Sequence, residues 1–176
     1  NNIKAIVLNI DSGGGEGMGC RIMQEAINSR NKPVVAFCND FVASAAYGIA
    51  SCCDKIVANS NVCRIGSVGT YMTIVDTSEY YAKMGIKLID IYASKSTDKN
   101  QEFHKALQGD TEPLKKVCDT YNENFISSIA NARVGVINED QGKWATGKMF
   151  FAPEAMDIGM IDEIDTFENV LNYFNT

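Results

Sequence analysis

The chain has 176 residues, 45% hydrophobic and 22% charged, enough for one globular domain with a sizeable core. A net charge of -6 and the lack of any basic cluster leave no phosphate footprint, so nucleic acid is not an expected partner. The longest weakly polar stretch, residues 41–53, is too short to span a bilayer and is broken by serines and Gly48.

In chain order, Ile6–Ile10 reads as a buried strand, rich in β-branched residues with almost no polar alternation. The chain opens almost directly on this apolar run, so it is read as a single domain over residues 1–176, lacking upstream strands or an anchor. The turn Ser12-Gly13-Gly14-Gly15 follows, and then a helix over Met18–Ile27 with Ile22, Met23, Ala26 and Ile27 at helical spacing. Asn31-Lys32-Pro33 ends that helix and Val34–Phe37 is a second buried strand. Ser44 then heads a small-residue helix, Ala45-Ala46-Tyr47-Gly48, before a third strand at Lys55–Ala58. Residues 66–69 form a turn, Ser78–Met84 a helix, and Leu88–Tyr92 a strand that runs into a polar loop over Ser94–Asn100. Glu112–Ala132 is the clearest amphipathic helix, with Leu114, Val117, Cys118, Tyr121, Phe125, Ile126 and Ile129 on one face. A short helix at Pro153–Met156, a strand near Met160–Ile164 and a terminal helix complete an α/β domain with a mainly parallel sheet.

Six cysteines lie among apolar positions without any C-x-x-C pair, which fits free thiols in a reducing compartment rather than zinc or redox chemistry. No metal or cofactor is expected.

Two segments carry the chemistry. Three consecutive glycines cost backbone entropy, which points to something approaching Gly13–Gly15 closely. The spacing only loosely matches a dinucleotide loop and lacks the Gly-Lys-Ser/Thr of a P-loop, so an oxyanion-binding turn and a plain turn both stand as readings. Ser44 at a helix start is either an N-cap or a nucleophile beside unpaired N–H groups. A serine nucleophile needs a base. His104, the one histidine, lies in a polar stretch outside these segments. A lysine with a pKa lowered by burial is the other route, and Lys95 and Lys99 flank Ser96-Thr97-Asp98 just after a strand.

Asn9-Ile10-Asp11-Ser12-Gly13-Gly14-Gly15 resembles the Asp-Ser-Pro-Gly-Gly motif of the signal peptide peptidase A (protease IV) family, within the Clp-protease/crotonase-like superfamily. Val42-Ala43-Ser44-Ala45-Ala46-Tyr47 resembles its Ala-Ala-Ser-Gly-Gly-Tyr nucleophile motif, and Cys53-Asp54-Lys55-Ile56-Val57-Ala58 its Ala-Asp-Lys-Ile-Val-Ala strand. Gly66-Ser67-Val68-Gly69 is similar to its Gly-Ser-Ile-Gly turn, and residues 144–163 to its closing segment. The resemblance covers nearly the whole chain in order. It departs from the pattern at Gly13, where the family has proline, and at Ala45 and Ala46, where it has glycines.

The resemblance implies a serine endopeptidase with Ser44 as nucleophile and oxyanion donors at the backbone of Gly14 or Gly15 and of Ala45. It places Ser67 as the residue orienting a catalytic lysine, which is Lys99 if the loop carries an insertion and Lys95 if it carries a deletion; Lys99 is preferred. It further implies a peptide substrate (signal peptides, membrane-derived peptides or phage capsid-type proteins) and a homo-oligomeric ring whose sites are shared between subunits. The parent protein would then be cytoplasmic or membrane-associated. A crotonase-like acyl-CoA enzyme and an inactive scaffold relative are the rival readings.

Overall fold

The computed structural model describes residues 3–174. Two compact units divide the chain: Thr70–Asn122 form one, and the stretches up to Gly69 and from Glu123 onward form the other.

The larger unit is built on β2 (Val34–Ala43), whose first five residues are buried on both faces, as their unbroken apolar run requires. β1 (Ile6–Ser12) lies parallel to β2 on one side. On the other side, β3 (Lys55–Ala58) pairs with Val35–Cys38, and β4 (Arg64–Gly66) pairs with Phe41–Ala43, both in parallel. β5 (Met149–Phe151) closes one end antiparallel to β4, and β6 (Glu163–Ile164) extends β3 in parallel, completing a mixed, mainly parallel six-stranded sheet. Between Ile10↔Cys38 and Ser12↔Val42, β1 advances two residues while β2 advances four, so a bulge turns β2 from β3 toward β4.

The strand alternation of β2 sorts the core into two layers. Val34, Ala36 and Cys38 face a cluster with Ala46, Tyr47 and Ala50 of α2 (Ala45–Ala50) and Ile129. Val35 and Phe37 face Val57 and Val170, and the Phe37 ring meets Phe167 at 5.0 Å between centroids. α1 (Gly17–Asn28) precedes β2, and α6 (Ala152–Asp157) and α7 (Phe167–Asn172) lie in the C-terminal stretch. Helices therefore flank the sheet, as expected for an α/β fold.

The smaller unit holds α3 (Ser78–Lys83) and α4 (Gln101–Leu107). α5 (Glu112–Ala132) begins there and ends in the larger unit, where Phe125, Ile126 and Ile129 join the core. In its first half the same face is mixed: Leu114 is buried, while Val117 is 38% and Tyr121 64% exposed.

Four local expectations are corrected. Leu88–Tyr92 is irregular and exposed, not a strand, because no strand of its own unit is present among the described residues to complete a ladder. β1 is half-buried rather than buried, since it pairs with β2 alone among the described residues. On α1 the core-facing residues are Cys20, Gln24 and Ile27, while Ile22 and Met23 point to solvent. The stretch around His104 is helical, and His104 sits against Tyr92, Oη to Nε2 at 2.5 Å, with Asp90 3.8 Å away.

Candidate active site

Ser44 stands where β2 ends and α2 begins, at φ 53° and ψ −124°. Its side chain makes no capping hydrogen bond, so the N-cap reading of this serine does not hold. Its N–H donates to the Gly66 carbonyl at 2.8 Å, and its carbonyl accepts from Gly48 N–H at 3.0 Å. The elbow is thus fixed from a neighbouring strand and from its own helix. α2 is only six residues long, and Ala45, Ala46, Tyr47, Gly48 and Ala50 are all buried.

The glycine turn meets this elbow directly. A methyl group placed on Gly14 would lie 2.8 Å from the Ala43 carbonyl oxygen, 2.8 Å from Ser44 Cβ and 2.9 Å from the Ala45 nitrogen. Only a residue without a side chain fits there, and its φ of 98° points the same way. Gly14 N–H is engaged by Ser12 Oγ at 3.2 Å, whereas Gly15 N–H meets no protein acceptor among the described residues. An open groove of about 650 Å³ runs past the backbone of Gly14, Gly15 and Ala45, with Leu8, Ile10, Met23 and Ile49 among its apolar walls.

Ser67 takes the matching place on the next strand. The register Ala43↔Gly66 puts Ser44 and Ser67 one residue beyond the paired ends of β2 and β4. Ser67 also has φ 53°, and its N–H donates to the Lys148 carbonyl at 2.8 Å. Three non-glycine residues among those described have positive φ: Ser44, Ser67 and Asn100. The first two are the serines singled out by motif, and the third directly follows Lys99.

Lys95 and Lys99 belong to the smaller unit and are both exposed. Lys99 N–H donates to Ser96 O at 3.3 Å, and Asn100 in the left-handed conformation starts α4. The structure therefore brings together Ser44, Gly14, Gly15, Ala45 and Ser67 within one unit, and carries both candidate lysines on the other. Among the described residues no group of three or more His, Cys, Asp or Glu side chains is placed to hold a metal ion. No described helix is long and apolar enough to cross a membrane.

Two contacts around α2 were not legible as motifs. Gln24, buried on α1, donates from Nε2 to the Gly48 carbonyl at 2.8 Å and to Ser128 Oγ at 3.3 Å. One turn earlier, the Cys20 thiol donates to the Ala45 carbonyl at 3.4 Å, and burial pushes its pKa up to about 11, keeping the proton on sulfur. The one available signal was a glutamine at i+4 from a small residue on a helix with few other polar positions facing the core.

The profile of Peptidase family S49 matches residues 26–176. A protease-named protein of Methanocaldococcus jannaschii is 28% identical over 172 residues, covering 97% of this chain and 55% of that one. Protease 4 of Haemophilus influenzae is 27% identical over 179 residues, covering 98% of this chain and 28% of that one. The chain thus spans 55% and 28% of the lengths of these two relatives. Among solved structures, a point mutant of ClpP1 from Listeria monocytogenes matches with a TM-score of 0.57 at 16% identity, over 96% of this chain and 78% of that one. That likeness shows the fold, which is of the Clp-protease/crotonase-like kind.

Proposed function

The chain belongs to peptidase family S49, and from that premise we propose that it is the catalytic part of a serine endopeptidase with Ser44 as nucleophile and Lys99 as general base. The observation that carries this reading is the close approach of the Gly14 backbone, with no room for a side chain, to Ser44 and the Ala45 nitrogen at an elbow whose serine is held at positive φ. A strained, uncapped hydroxyl beside backbone donors suits acyl transfer better than it suits structural capping.

The Lys99 amine, steadied by Ser67, takes the Ser44 proton as the hydroxyl oxygen attacks the peptide carbonyl. The oxyanion that forms is held by backbone N–H groups, Ala45 from the elbow and Gly15 or Gly14 from the turn. The tetrahedral intermediate collapses, the amine leaves with a proton, and water hydrolyses the Ser44 ester to free the acid. An extended peptide with an apolar side chain next to the scissile bond fits the groove walls of Leu8, Ile10, Met23 and Ile49. Signal peptides, membrane-derived segments and phage capsid-type chains are the candidate substrates. Lys99 lies in an exposed loop of its own unit, and a ring in which this loop serves a neighbouring subunit is part of the proposal.

Mass spectrometry after treatment with a fluorophosphonate tests the class. The expected result is one adduct on Ser44, lost in Ser44→Ala, with peptide hydrolysis abolished and the fold retained. Lys99→Ala should lower hydrolysis by roughly 10²–10⁴-fold while His104→Ala keeps most of it. An unlabelled Ser44 with saturable acyl-CoA binding would favour a crotonase-like enzyme. Tolerance of Lys99→Ala with failure of Lys95→Ala would move the base to Lys95.

A further inference from the structure

Three residues of α1 face the core, and the middle one is polar. Cys20 and Ile27 make the apolar part of that face, and Gln24, 8% exposed, occupies the position where a leucine would bury the most surface. A buried amide is costly unless its hydrogen bonds are made. Gln24 makes them to α2 and α5, at Gly48 O and Ser128 Oγ.

Gly48 O is an orphan of the helix end. The N–H of Cys52, four residues on, donates instead to Ile49 O at 3.2 Å, so the Gly48 carbonyl is served by side chains: Gln24 at 2.8 Å, Ser51 Oγ at 2.7 Å and, more distantly, the Cys52 thiol at 3.8 Å. In a helix of six residues, holding that carbonyl helps fix the rotation of the element, together with Tyr47 Oη donating to the Met160 carbonyl at 2.9 Å and Ser44 N–H donating to the Gly66 carbonyl at 2.8 Å. The Cys20 thiol adds a second tie at the Ala45 carbonyl. Gly48 lets the elements approach: a methyl there would lie 2.6 Å from the Phe125 ring and 3.0 Å from Cys20 Sγ. α1 begins at Gly17, directly after the glycine turn. Gln24, with Cys20 beside it, therefore ties the helix that follows Gly14–Gly15 to the helix that follows Ser44.

We propose that Gln24 is a positioning residue of the site, holding the glycine turn and the Ser44 elbow at the separation that oxyanion binding requires. The inference rests on the serine-peptidase reading. Backbone donors act only when aimed at the developing charge, so a small rotation of α2 lowers the acylation rate without emptying the groove.

The test compares wild type, Gln24→Met and Gln24→Glu as full chains, measuring the amplitude and rate constant of Ser44 acylation by a fluorophosphonate, with kcat and KM on a peptide. Gln24→Met keeps the length and removes the donor. The expected result is full labelling amplitude, an acylation rate and kcat about 10–100-fold lower, and KM within about threefold. Gln24→Glu should be slower still at neutral pH. Its rate relative to wild type should rise as pH falls, because the protonated carboxyl again donates to Gly48 O. A structural role alone would lower the amplitude and leave the rate constant of the labelled fraction unchanged, and that result overturns the proposal. So does a wild-type rate constant in Gln24→Met. If wild-type Ser44 does not label at all, the peptidase reading falls and the positioning role falls with it, a result distinct from both.

Discussion

Ser44 and Ser67 each hold a backbone conformation that serine rarely adopts, at a cost of about 1–3 kcal/mol apiece. Nothing local rewards it: Ser44 makes no cap, and both positions follow strand ends where an ordinary turn residue would serve. Gly14 is the counterpart, free of strain because it has no side chain. Gly14→Ala should therefore lower kcat by about 10²-fold or more, since the methyl must push against Ala43 O and Ala45 N and move the donors off the oxyanion. Steady-state kinetics with the melting temperature measured in parallel checks this. Wild-type kcat in a folded Gly14→Ala chain would show that the turn does not bear on the chemistry. At this scale much of the candidate site could be proposed from sequence, because the glycines and Ser44 stand out by residue type. Gln24 was not, since a glutamine reads as solvent-facing until its acceptor, a carbonyl from another helix, is known.

Among the elements, the apolar runs that open β2 and make β3 were read correctly as buried strands, whereas the similar run of β1 is only half-buried because it pairs with β2 alone among the described residues. β2 and β3 are buried wherever their sequence is uniformly apolar. Leu88–Tyr92 has the same local character and is not a strand, because strand formation depends on a neighbour that no local pattern reports. β4 and β5 were missed for the converse reason: three-residue strands exist only through each other and through β2. The C-terminal helix α7 offers a test of electrostatics. Just past its end, Tyr173 Oη donates to Glu163 at 2.9 Å, and Lys55 contacts both Glu163 and the Tyr173 ring. The Lys55 hydrogen bond holds the Glu163 carboxyl below its ordinary range, and the same bond raises Lys55. A depressed carboxylate contributes stability above its unfolded pKa and loses it as pH falls through the folded value. The raised lysine loses its share only in strong alkali. Protection of the Val170 and Tyr173 amides against hydrogen exchange should thus fall below about pH 4, by about fivefold or less because the pair is well solvated. Glu163→Gln should lack that dependence, and an identical profile in the variant would remove the pair from the account.

At the scale of the whole molecule, the smaller unit carries Lys95, Lys99 and many exposed apolar side chains, with Tyr71 89% and Ile91 91% exposed. The proposed sharing of sites between subunits makes a quantitative forecast. Ser44→Ala and Lys99→Ala chains, each inactive, should regain part of the wild-type hydrolysis when mixed, because some interfaces pair an intact serine with an intact lysine. Activity of the wild type should also fall on dilution through the range where the assembly dissociates. No recovery, once subunit exchange is confirmed by mass spectrometry of mixed isotopes, would place the whole site in one chain. The fold class was legible because strands and helices alternate along the chain. The placement of the lysine was not, since Lys95 and Lys99 share one polar loop whose sequence offers no packing to choose between them.

Five of the six cysteines are buried and unpaired, and Cys118 is half-buried on α5. Burial pushes the thiols of Cys63 and Cys53 up to about 11 and about 12, and that of Cys38 higher still, so none of these is a thiolate near neutrality. The interior is in this way a built-in mass clock for motion. A maleimide pulse on the native protein should add one label, at Cys118, and each later label should mark the opening of a different region. Cys20 reports separation of the two helices behind Ser44, while Cys38 reports loss of the central strand. An adduct at Cys20 that arrives well ahead of Cys38 would time the loosening of the catalytic elbow separately from unfolding, without any engineered reporter.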